Sequence, residues 1–180
     1  MKLTLIYSLL FFSPSPDLPT LENWSIVANK SQINFTMKHK KKDLEGKVEG
    51  LQGTIQFSEN DLVHSSIKVA VAVNTIDTGV TDRDEHLRKG DFFDAVKFPQ
   101  MSFESTGIRK AETGFVADGI LKIKDQSKVI SLPFTFESTG DKNGIFSGSF
   151  TLNRMDFGVG NRSDGIENEV TVTFMISVKS

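Results

Sequence analysis

The chain has 180 residues, a net charge of −2 and no cysteine, and it carries 15 phenylalanines against one tyrosine and one tryptophan. That length suits a single domain with a substantial core, and the charge leaves no basic footprint for nucleic acid. Without thiols there can be no disulfide, thiolate metal site or cysteine nucleophile.

Residues 1–12, MKLTLIYSLLFF, place one lysine before an apolar run. This is the n-region and h-region of a secretory signal, too short to cross a bilayer. Ser13 and Ser15 are small enough for cleavage, but Pro14 and Pro16 flank them. The reading is a signal peptide over 1–15, a linker over 16–23 and one domain over 24–180, with the chain secreted.

From Trp24 onward the dominant period is two. Ile33, Phe35 and Met37 alternate with polar neighbours, as do Ile67, Val69, Val71 and Val73. Leu132, Phe134 and Phe136 do the same, and so do Val170, Val172, Phe174, Ile176 and Val178. Alternation gives each strand one apolar face and one solvent face. Strands are predicted near 24–28, 32–39, 46–57, 65–74, 101–108, 115–123, 129–137, 146–153 and 169–178. Gly46, Gly50 and Gly53 in the third run predict bends or bulges. Short turn-rich connections favour antiparallel neighbours.

One segment breaks the period. Over 78–100, Thr81 or Asp82 is expected to N-cap a short helix through Leu87, with Gly90 ending it. A helix this short needs docking to persist, so Leu87, Phe92, Phe93 and Phe98 should pack onto the sheet as a lid. The fold class that follows is all-β: an antiparallel up-and-down barrel of about eight strands with a short helical lid. Such a barrel either packs solid or holds one small ligand. Phenylalanine suits both, since it adds apolar area without a polar group to satisfy.

The lid and its flanks carry an ordered series of motifs. They are Trp24, Ser31-Gln32-Ile33-Asn34-Phe35 leading to His39, then Gly46, Gly53 and Phe57. Next come Ile76-Asp77-Thr78-Gly79, Arg83-Asp84-Glu85-His86-Leu87, Asp91-Phe92-Phe93-Asp94, and Lys97-Phe98-Pro99 through Phe103-Glu104-Ser105-Thr106. Gly119-Ile120-Leu121-Lys122-Ile123 and Asn153-Arg154-Met155-Asp156-Phe157-Gly158-Val159 close the series. In this series the chain resembles the YceI family of lipocalin-like, polyisoprenoid-binding barrels over residues 24–178. The departure is Lys124-Asp125-Gln126-Ser127-Lys128, where the family usually turns through Gly-Val-Thr. The resemblance implies a tunnel holding a polyisoprenoid, with a quinone-like or prenyl-phosphate lipid as its form, a periplasmic setting and no agreed reaction; a homodimer would suit it.

The candidate barrel lining is Phe35, Met37, Ile67, Val69, Val71, Phe103, Leu121, Phe134, Phe150 and Phe174. The candidate lid cluster is Arg83, Asp84, His86, Phe92 and Phe93. A carboxylate beside an imidazole invites a hydrolase or isomerase reading, but Asp84 and His86 are two apart and diverge on a helix. They are therefore read as structural, with no catalytic residue, no metal ligand and no cofactor assigned. His86 with Asp82 or Asp94 makes a poor metal site, and the loop 161–167 fails calcium-ligand spacing. The basic run Lys38-His39-Lys40-Lys41-Lys42 could meet an anionic membrane surface transiently. A cavity-free structural β-domain remains an alternative, because alternation cannot distinguish a wall from a packed core.

Overall fold

The computed structural model describes residues 21–40, 42–140, 142–162 and 165–180. The expected signal segment lies outside the described residues, as does the linker up to residue 20. Ten strands form among the described residues: β1 (Glu22–Ile26), β2 (Gln32–His39), β3 (Lys42–Val48), β4 (Gln52–Phe57) and β5 (Ser66–Ala72) come first. After an α-helix, α1 (Thr81–Leu87), follow β6 (Gln100–Lys110), β7 (Phe115–Ile123), β8 (Gln126–Ser138), β9 (Asn143–Asn153) and β10 (Glu169–Lys179).

The strands pair antiparallel with their sequence neighbours from β4 through β10. Closure comes from the N-terminal segments. One edge of β10 carries β2 along Thr171–Met175 and β1 along Val178–Lys179. Thus β1 and β2 act as one long strand, kinked by a 3-10 turn at Ala28–Lys30. Their partners β4 and β3 form a second long strand in the same way. The result is a closed up-and-down ring of eight.

The run expected over 46–57 is therefore two strands. Gly50 has φ +69°, in the left-handed region where a side chain is disfavoured, and that residue interrupts the ladder. Gly53, at φ +141°, lies so close to β5 that a Cβ would stand 2.1 Å from the Lys68 carbonyl oxygen. The second long strand bends where only glycine fits.

The lumen far from α1 is filled by rings. Phe57, 1% exposed, sits edge-on to Phe115, Phe134, Phe136 and Phe146 at centroid distances of 5.1 to 5.6 Å. Trp24 packs on Phe136 at 5.1 Å and donates its indole N–H to the Phe57 carbonyl at 3.0 Å. Edge-to-face rings add to their area burial. Phe57→Ala should cost about 3–5 kcal/mol, read as a fall in denaturation midpoint; a loss below about 1 kcal/mol would mean that the cluster closes over the gap.

Candidate functional site

Between the ring cluster and α1 the barrel is hollow. The cavity measures about 440 Å³ and its wall is overwhelmingly apolar. All ten residues expected on the lining stand on this wall: Phe35, Met37, Ile67, Val69, Val71, Phe103, Leu121, Phe134, Phe150 and Phe174. Val73, expected on the same face, is 1% exposed and packs in the core beyond the wall. Phe35, Met37, Val69, Leu121, Phe150 and Phe174 retain partial exposure although they point inward. A solid core would have buried them.

Two glycines help keep the lumen open. A Cβ on Gly46 would fall 2.3 Å from Phe35 Cζ, and one on Gly148 would fall 2.4 Å from Phe174 Cζ. Each ring thus lies flat over a glycine of the neighbouring strand instead of projecting across the cavity. Spacing alone marked Gly46 as a bend; its role is to seat a ring.

The lid forms as expected over Thr81–Leu87, but its cap differs. Val80 occupies the N-cap position, with no side-chain cap, so Thr81 and Asp82 lie inside the helix. The segment before the helix is tied down by Asp84, which is 7% exposed. Its Oδ1 accepts from the Thr78 N–H at 2.8 Å and from the Thr78 hydroxyl at 2.5 Å. Arg83 grips the same residue, donating Nε to Thr78 Oγ1 at 2.7 Å and Nη2 to the Thr78 carbonyl at 2.8 Å.

His86 points away from Asp84. It is exposed and shares a 2.8 Å hydrogen bond with Asp91, while its ring meets Phe92 edge-on at 5.0 Å. The His86 hydrogen bond holds the Asp91 carboxyl below its ordinary 3.8. Arg83, His86, Phe92 and Phe93 all reach the cavity wall. Phe92 is buried with Ile123, Phe157 and Val159. Phe98 is half-buried, with the Lys97 ammonium 5.0 Å from its ring centroid.

Further contacts, none anticipated from the sequence, fix the loop beside the lid and join it to Asp91. Gly160 N–H donates to the Asp91 carbonyl at 2.9 Å. Lys124 Nζ, on the turn that departs from the family pattern, donates to the Gly158 carbonyl at 2.8 Å. Arg154, only 3% exposed, donates to the carbonyls of Val159, Asn161, Ile166 and Glu167 at 2.8 to 3.1 Å. The signal for Arg154 was a lone arginine just past the end of a strand, in the series Asn153-Arg154-Met155-Asp156-Phe157. Among the described residues no cluster of three or more metal-ligating side chains occurs. The loop weighed as a calcium site includes residues 163 and 164, which lie outside the described residues.

A family model for the YceI-like domain matches residues 24–178. A UPF0312 protein of Pseudomonas aeruginosa strain LESB58 is 31% identical over 133 residues, covering 71% of this chain and 70% of its own. Among solved structures, BcnA of Burkholderia cenocepacia superposes with a TM-score of 0.80 at 23% identity, covering 84% of this chain and 98% of its own. A Saccharophagus degradans domain described as polyisoprenoid binding, implicated in plant cell wall breakdown, gives 0.68 at 13% identity, covering 87% and 98%. At those identities the two structures share the fold.

Asp84→Ala removes the acceptor for two Thr78 donors, so stability should fall by about 1–3 kcal/mol in equilibrium denaturation. An unchanged midpoint would remove Asp84 from the lid's structure. Asp91 gives a pH readout. Its folded carboxyl is lowered, so its contribution is present above 3.8 and fades as pH falls through the lower folded value. Carboxyl NMR titration should show this value rising toward 3.8 in His86→Ala; no movement would separate the two side chains.

Proposed function

The chain belongs to the family of YceI-like domains, and from that premise we propose that it binds and carries an isoprenoid lipid inside the barrel. The observation that carries this reading is the apolar cavity between the ring cluster and the lid. An apolar chain released from water into such a space gains about 0.8 kcal/mol per buried methylene. The description of the Saccharophagus degradans domain as polyisoprenoid binding supports the ligand class.

The geometry favours binding over catalysis at the lid. A hydrolase or isomerase would need Asp84 to orient His86 as a base. Asp84 is instead bonded to Thr78, and His86 to Asp91. Export is part of the proposal, supported by the apolar segment at 1–12; cell fractionation that finds the full-length chain in the cytosol would contradict it. Loading at an anionic lipid surface is supported by Lys40 and Lys42 beside His39, which itself reaches the cavity wall.

The test pairs extraction with one variant. Mass spectrometry of an organic extract of the purified protein should release a prenyl lipid. In Val69→Trp, an indole set on the partly exposed inner wall should displace it, with a stability change within about 1.5 kcal/mol. A parent protein that is empty and takes up no added prenyl lipid would overturn the carrier. A Val69→Trp variant that carries as much lipid as the parent would put the lipid outside the barrel and overturn the site.

A further inference from the structure

Both ends of the lumen are firmly held. Phe134 and Phe146 belong to its wall and to the ring cluster beneath, which forms an aromatic floor. At the other end Arg83 and Asp84 tie the lid to Thr78, and Arg88 ties it to the Ile76 carbonyl. The loop before β10 meets the lid through Gly160 on the Asp91 carbonyl. It is also sewn to the β2–β3 hairpin. Lys40 N–H donates to the Gly165 carbonyl at 3.1 Å and Glu167 N–H to the Lys38 carbonyl at 2.8 Å.

The side wall is weaker at one place. β1 meets β4 only along Glu22–Trp24 against Phe57–Ile55, and β2 first meets β3 at Ile33 and Val48. Between those ladders, no strand pairing joins residues 25–32 to residues 49–54. The first margin is fastened to β10: Val27 N–H donates to the Ser177 carbonyl at 2.8 Å, and Ser177 Oγ to the Lys30 carbonyl at 3.1 Å. The second margin is laddered to β5 only from Gln52 onward. Gly50 and Leu51 belong to no strand and make no backbone hydrogen bond among the described residues.

A groove runs along this breach on the outer surface, lined by Ser25, Ile26, Ala28, Gln52 and Thr54. Leu51 and Ile55 line both that groove and the lumen. Ile55 is pinned from both sides, by Trp24 and Ile67. Leu51 is not. It is 8% exposed and stands between Gly50 and Gly53, whose φ values are +69° and +141°. A segment outside every ladder opens locally at low cost.

Resting on the carrier reading above, we infer that the lumen fills and empties through its side, between β1 and β4, with Leu51 as the gate. The ligand passes a single leucine there. Leaving through the floor would take the ring cluster apart, and leaving by the lid would break several hydrogen bonds together. The β2–β3 hairpin, with Lys40 and Lys42 at its tip, rises from the upper edge of the breach. A lipid surface met by those lysines therefore lies along the same flank of the barrel.

The chain has no cysteine, so introduced thiols react alone. Ala28→Cys with Gln52→Cys, both exposed, lets a short bifunctional thiol reagent staple the two margins. Lys97→Cys with Asp125→Cys, exposed residues whose charges interact, staples the lid loop to the β7–β8 turn. Each unreacted double variant is the control for folding. Release of preloaded N-phenyl-1-naphthylamine, an apolar fluorophore, into phosphatidylcholine vesicles is followed by stopped flow. The side staple should slow release by about tenfold or more, and the lid staple by less than about twofold. Leu51→Ala should quicken uptake by about tenfold; lost wall contact alone would change only release. A side staple that leaves release unchanged, a lid staple that slows it as much, or an unchanged uptake rate in Leu51→Ala would overturn the side gate and leave the carrier standing. A parent protein that takes up no fluorophore displaceable by farnesol would overturn the carrier itself.

Discussion

Closing eight antiparallel strands into one ring fixes the width of the lumen, and the character of the protein follows from how that width is filled. A barrel of this size is just wide enough for side chains to meet across it. Here they meet at one end only. Trp24, Phe57, Phe115, Phe134, Phe136 and Phe146 interlock there, and Phe57 touches four other rings. Toward the lid the rings of Phe35 and Phe174 lie over Gly46 and Gly148, and the centre stays open. The packed half supplies stability, and the hollow half supplies the proposed binding site.

The lid is a consequence of the hollow half. A seven-residue helix does not persist on its own, and α1 is held from several sides. Asp84 and Arg83 fasten it to Thr78. Arg88 ties the following turn to the Ile76 carbonyl at 3.0 Å. Phe92 anchors it on Phe157 and Val159. Lys124 and Gly160 fix the neighbouring loop. The basic groups that reach the wall therefore gather at the lid end, while the opposite end is aromatic.

Strand alternation made most of this legible in the sequence. A strict period of two assigns a side, so the inward residues of β2, β5, β8 and β10 could be named before their partners were known. The order of motifs identified the family. What alternation could not reveal is depth. Phe134 and Phe150 obey the same pattern, yet one forms the floor and the other stands on the open wall. Depth depends on strand tilt and stagger, which are properties of the closed ring. The glycine seats were hidden for a related reason: Phe35 and Gly46 become neighbours only through the register of β2 on β3. The Val80 cap was missed because no side chain caps this helix; Asp84, its fourth residue, bonds Thr78 outside the helix instead.

The most direct test is a crystal structure of the protein purified without delipidation. A hollow barrel predicts continuous density rising from Phe134 and Phe146 to Arg83, with Phe35 and Phe174 flat against their glycines. A lumen filled instead by Phe150, Met37 and Met101 turned inward, with no density between them, would contradict it.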